Sequence, residues 1–147
     1  KKNVLPGNGL IKGDARAFSE ETNSLIEKNM RQLVEGICDS FGVCAKVKYE
    51  TTCPMTFNQP KQAEAATKAA VTLLGEDKCN GDIDPRPFSE DFSIMSENTP
   101  GCFLLMGNGT SGSYGRPLHS ADYDFNDELL VKGSSYWVEL AEQQLKI

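Results

Sequence analysis

His119 is the only histidine among 147 residues. It lies between a glycine-rich stretch, Gly107-Asn108-Gly109-Thr110-Ser111-Gly112-Ser113-Tyr114-Gly115, and an acidic one that includes Asp122 and Asp124. An imidazole at a loop-to-helix junction can bind a metal or shuttle a proton. When it binds a metal, a carboxylate or carbonyl usually orients the ring. One imidazole cannot build a metal site, because zinc takes three or four protein ligands. A functional His119 therefore needs partners that these residues do not supply. The plainer alternative is a surface or hydrogen-bonded histidine with no chemical role.

Two further groups could meet a substrate. Asn3 and Arg16 fall on or near adjacent strands of a predicted hairpin. A guanidinium suits bidentate capture of a carboxylate, and an asparagine amide can donate to a polarised carbonyl oxygen. Their simpler reading is a turn residue and a solvated strand residue. Ser89-Glu90-Asp91 stands at a predicted helix start, where backbone N–H groups could hold an anion. Two acidic side chains on the same turn oppose that, and N-capping by Ser89 is the simpler role. Asn108-Gly109-Thr110 fits a glycosylation sequon and reads more simply as a turn.

The elements that must carry these residues follow from periodicity and capping. Residues 3–6 are extended, Gly7-Asn8-Gly9 signals a hairpin, and residues 10–18 can return as a strand. Ser19 caps a predicted amphipathic helix over 20–41 with Glu20 and Glu21 in its first turn, and Gly42 ends it. Val43, Ala45, Val47 and Tyr49 alternate with polar residues as a half-buried strand should. Two prolines and no periodicity over 52–60 mark a linker. Pro60 then opens an alanine-rich helix that stops at Gly75. A short helix follows Ser89-Glu90-Asp91 through Phe92 and Met95, and Asn126 caps a final helix. Residues 102–106 are continuously apolar, which suits a strand buried on both faces. One such strand cannot be a sheet, so the second half reads as part of a larger fold.

Bulk properties narrow the class. With 39% hydrophobic and 24% charged residues the chain is globular rather than disordered. A net charge of -6 argues against a nucleic-acid partner. No apolar run approaches the roughly 20 residues that span a bilayer, and the N-terminal residues lack the apolar core of a signal peptide. Cys38, Cys44, Cys53, Cys79 and Cys102 are odd in number, widely spaced and without a Cys-x-x-Cys pair. They read as small buried thiols in a reducing compartment, so a cytoplasmic location is expected.

Several of these segments together resemble a known family. Ser89-Glu90-Asp91-Phe92-Ser93, Pro100-Gly101-Cys102-Phe103, Gly107, Leu118-His119-Ser120 and Asp124-Phe125-Asn126-Asp127 occur in the order and spacing of the M20 metallopeptidases. The likeness is to the amidohydrolase branch, which includes hippurate hydrolases, N-acyl-amino-acid deacylases and auxin-conjugate hydrolases. Asn3-Val4-Leu5-Pro6 and Arg16-Ala17-Phe18-Ser19 agree with it as well. Where the family usually shows Met-Gly before its Ser-Glu-Asp-Phe, this chain has Pro87-Phe88 and lacks the freedom a glycine would give.

The resemblance implies the C-terminal segment of a two-domain enzyme. Its fold would be an α/β catalytic-domain fragment, residues 56–147, and an α+β, ferredoxin-like lid and dimerisation fragment, residues 1–55. It implies two divalent metal ions (zinc, manganese, cobalt or nickel), with His119 as the one ligand present. It implies substrate contacts from Asn3, Arg16 and Ser89, an N-acyl amino acid as substrate, and a homodimer formed through the lid. The remaining ligands and the general base are not among these residues, so the 147 residues alone are expected to be inactive. The competing readings are a carboxypeptidase or dipeptidase of the same superfamily, and a dimerising or ligand-binding module without chemistry.

Overall fold

Ser19 begins the first helix by local chemistry. In the computed structural model, which describes residues 3, 4 and 6–145, its hydroxyl accepts from the Thr22 amide at 3.0 Å, and α1 runs Glu20–Phe41. Gly42 ends α1 at φ 64, a left-handed conformation that a glycine adopts without steric cost. α2 spans Pro60–Leu74 with proline in its first turn and Gly75 behind it at φ 91. A 3-10 turn follows at Glu76–Lys78. α3 is the short Phe92–Ser96 and α4 is Glu128–Leu145. The amide of Glu128 donates to Asn126 Oδ1 at 3.1 Å, so Asn126 caps α4.

The described residues divide into two units. The first runs to Met55 and includes Pro85–Glu90. The second holds Thr56–Asp84 and the residues from Asp91 onward. In the first unit, the segment after α1 lies along that helix through side chains. Arg31 Nη1 donates to the Val47 carbonyl at 3.1 Å, and the Tyr49 hydroxyl donates to Asn23 Oδ1 at 2.5 Å. In the second unit, α2 packs against α4. Ala66 and Ala69 of α2 and Tyr136 of α4 are buried, and the Tyr136 hydroxyl donates to the Ala66 carbonyl at a long 3.4 Å. Alanines let the two backbones approach, and the aromatic ring fills the space left.

The expected α/β and ferredoxin-like folds are not found: the described residues contain helices and no strand. The segments predicted as strands at 3–6, 10–18, 43–49 and 102–106 form no ladder, and Leu5 of the first lies outside the described residues. A strand exists through inter-strand hydrogen bonds, and here backbone groups find other partners. Asn58 makes the point. Its side-chain amide donates to the Phe103 carbonyl at 2.8 Å and accepts from the Phe103 amide at 2.7 Å, taking both groups a ladder would use. One backbone bond, Gln59 amide to Gly101 carbonyl at 3.0 Å, continues the contact and then stops. Leu104, Leu105 and Met106 are exposed, so the apolar run is not a buried central strand.

Apolar surface is left open in both units. The chain exposes 12543 Å², whereas a folded body of its mass exposes roughly 7,400 Å² and two bodies sharing that mass roughly 8,900 Å². α1 has no buried residue, and Leu25, Met30, Leu33, Ile37 and Phe41 along it are all exposed.

The buried contact of the second unit should be sensitive to alkali. Burial pushes the Tyr136 phenol above its ordinary 10.0, with nearby Cys102 adding to the rise, and burial pushes the Cys102 thiol above 9.0. In each the folded state favours the protonated form. Their contribution is complete below the ordinary values and is lost as pH climbs past them. Thermal melts followed by circular dichroism should show the midpoint falling above pH 9.0. Tyr136→Phe should lose less over that interval than the native chain, and an equal loss would clear Tyr136 as a source.

Candidate functional site

Arg16 and Ser89, 73 positions apart, are brought together in the first unit. Arg16 Nη1 donates to Ser89 Oγ at 2.6 Å. Its Nη2 reaches Asp14 Oδ2 at 3.3 Å, and the Asp14 side chain is 85% exposed. A guanidinium held by one short neutral hydrogen bond and one loose, solvated carboxylate keeps most of its capacity for an anion. Ser89 does not cap a helix. Asp91 stands at the cap position of α3 and makes no side-chain capping bond. Asn3 is exposed in a turn and is not a hydrogen-bond partner of Arg16 or Ser89.

His119 sits in the second unit, exposed, at the tip of the loop between residues 107 and 126. Its φ is 71, and it is the one non-glycine residue among those described with a positive φ. For a residue with a Cβ that conformation is uncommon, although histidine tolerates it better than most. The acidic neighbours do not orient the ring as a carboxylate partner would. Asp122 instead pairs with Arg116 Nη1 at 2.7 Å, and the Asp122 carbonyl accepts from the same guanidinium at 2.8 Å.

Asn108, read from the sequence as a turn residue, binds the two flanks of this loop. Its Nδ2 donates to the carbonyls of Tyr114 at 3.1 Å and Asp124 at 2.8 Å, and its Oδ1 accepts from the Asn126 amide at 2.9 Å. Both amide hydrogens are engaged, so a glycan on this sequon would require the loop to open. The glycines around it are sterically required. A Cβ on Gly115 would lie 2.6 Å from the Thr110 carbonyl carbon, and one on Gly109, at φ 150, 2.8 Å from Tyr114 Cβ.

No group of three His, Cys, Asp or Glu side chains among the described residues could hold a metal ion. His119 fits such a centre as one exposed nitrogen donor and no more. The remaining titratable feature is Cys102, which lies near Tyr136 of α4. No helix among the described residues is long and apolar enough to cross a membrane.

Comparison with known proteins gives the class. Residues 7–143 match Peptidase family M20/M25/M40, and the chain belongs to that family of hydrolases. It is 31% identical over 144 residues to the hippurate hydrolase of Campylobacter jejuni, covering 98% of this chain and 37% of that protein. It is 27% identical over 137 residues to thermostable carboxypeptidase 2 of Saccharolobus solfataricus, covering 91% of this chain and 34% of that one. It is 29% identical over 105 residues to the putative amidohydrolase YhaA of Bacillus subtilis, covering 71% and 26%. The chain thus spans about a third of the length of the curated relatives it matches. No solved structure matches it significantly.

If the imidazole is kept at position 119 for chemistry rather than folding, replacing it should not weaken the fold. His119→Gly relieves a backbone conformation that costs a side-chain-bearing residue about 1 kcal/mol or more. Its thermal midpoint should match or exceed that of the native chain. A fall of several degrees would show that the ring supports the structure.

Proposed function

We propose that this chain is part of a metal-dependent hydrolase that cleaves the amide bond of N-acyl or N-aroyl amino acids. Its share of the work is to hold the substrate's free carboxylate and to present one imidazole to the metal centre. The observation that carries the reading is the Arg16–Ser89 contact at 2.6 Å. That pairing sets a planar cation and a hydroxyl side by side, a combination suited to a carboxylate. A substrate with its carboxylate one carbon atom removed from its scissile nitrogen would be held by this contact. Asn3 would donate to the carbonyl oxygen at which negative charge develops.

The chemistry that completes this assignment lies with groups beyond the described residues. Divalent metal ions, when bound, polarise the carbonyl and lower the pKa of a water. His119 would supply one of their donors, and a carboxylate from elsewhere would carry the proton between water and the leaving amine. The choice among zinc, manganese, cobalt and nickel rests with those other donors. A carboxypeptidase or dipeptidase is the second reading. It is favoured by the carboxypeptidase relatives, and its substrates present the same terminal carboxylate to Arg16.

The open apolar face of α1 supports a homodimer formed through the first unit, as burial of Leu33 and Ile37 against a second copy would be favourable. Sedimentation of the full-length enzyme as a monomer at micromolar concentration would dismiss that pairing.

In the full-length enzyme, Arg16→Gln should lower kcat/KM for an N-acyl amino acid by about 10- to 100-fold, the loss of a charged hydrogen bond worth roughly 1.5–3 kcal/mol. The corresponding methyl ester should be affected little. His119→Ala should lower metal content. Equal losses on acid and ester, or full metal retention, would count against the respective assignments. Turnover of dipeptides in preference to acyl amino acids would favour the second reading.

A further inference from the structure

The loop that carries His119 is closed by three sets of contacts arranged around it. Outermost, the Asn108 amide binds the carbonyls of Tyr114 and Asp124, each five positions from His119. Inside that, Arg116 grips Asp122, each three positions from His119, through both carboxylate and carbonyl. Innermost, the Pro117 carbonyl accepts from the Ser120 amide at 3.1 Å and the Ser120 hydroxyl at 2.8 Å. His119 is at the apex, with its positive φ. Asn126, which caps α4, returns a bond to the Asn108 carbonyl at 3.3 Å and so ties the loop base to a helix.

We propose that Asn108 and the Arg116–Asp122 pair are positioning residues that set the backbone of His119 and so present its imidazole for coordination. This rests on reading His119 as the coordinating residue. The physical argument is entropic. An exposed loop of this length without internal bonds samples many backbone states, and each restraint removes some of them before a ligand is bound. Asn108 is well suited to the outer closure because one planar amide offers two donors to two carbonyls and one acceptor to an amide. An aspartate at that position keeps the acceptor and turns both donors into repulsion. Arg116 and Asp122 act at the inner closure, where the guanidinium spans side chain and main chain together.

The test exploits the single histidine. In the 147-residue chain labelled with ¹³C-histidine, the imidazole signals report on position 119 alone. Asn108→Asp should broaden or split them and raise hydrogen exchange of amides 118–121 about tenfold, with helix content unchanged by circular dichroism. Arg116→Gln, at an exposed site less able to disturb folding, should do the same to a smaller degree. In the full-length enzyme both variants should weaken zinc affinity, measured by chelator competition, by about 10- to 100-fold, as changes around a metal ligand do. Unchanged imidazole signals and exchange would overturn the proposal. So would a loosened loop with unaltered zinc affinity. His119→Ala separates the two levels: if that variant retains full zinc affinity, the coordinating role of His119 fails, whatever the loop variants do.

Discussion

The packing of α2 against α4, with Ala66, Ala69 and Tyr136 buried, is the constraint on which the second unit rests, because little else in it is fully buried. Its effect reaches the loop from both ends. On one side α2 is preceded by Asn58 and Gln59, which hold Gly101 and Phe103 and so anchor the chain entering the loop. On the other side α4 begins at Glu128 behind its cap Asn126, which is bonded to Asn108. Fixing α2 against α4 therefore fixes the two legs between which His119 is suspended. Small residues on α2 make this possible with one aromatic ring from α4. A larger side chain at Ala69 would push the helices apart and move both legs with them.

The uncovered apolar surface is the counterpart of that sparse core. Described residues whose buried apolar side chains are two alanines and a tyrosine, while Leu33, Ile37, Phe41, Leu130, Val131 and Trp137 are exposed, leave much hydrophobic free energy unrealised. Patches of this kind mark surfaces that meet other protein. The packing among the described residues thus leaves many large apolar side chains uncovered.

What could be read in the sequence was what local chemistry decides. Ser19, Gly42, Pro60, Gly75 and Asn126 each satisfy or spare a backbone group at a helix end within a few residues, so the limits of α1, α2 and α4 were legible. Strands were not, because alternation and apolar runs show which residues could pair, and pairing depends on a partner distant in sequence. At 102–106 that partner proved to be the side chain of Asn58, which no periodicity announces. The same limit applied to the candidate site. Arg16 and Ser89 could each be picked for their chemistry, but a contact across 73 positions could not be read, and capping, the local role, was the simpler expectation for Ser89. Asn108 was visible only as a turn or sequon residue, because its partners are backbone carbonyls and a backbone amide, which carry no side-chain signature.

Asparagine accounts for much of the order in the second unit, and the reason is geometric. Its side-chain amide copies a peptide group, so Asn58 and Asn108 can satisfy backbone donors and acceptors where no second strand is available. Each thereby holds an irregular segment without a sheet. Irregular backbone is also what permits the conformation at His119. Inside a helix or ladder a positive φ would break the repeat, whereas in a loop tied at its base the cost is local and small. A glycine or asparagine would occupy that apex with less strain. Histidine, the only one in the chain, holds that apex at φ 71 because the contacts around it fix the backbone on either side.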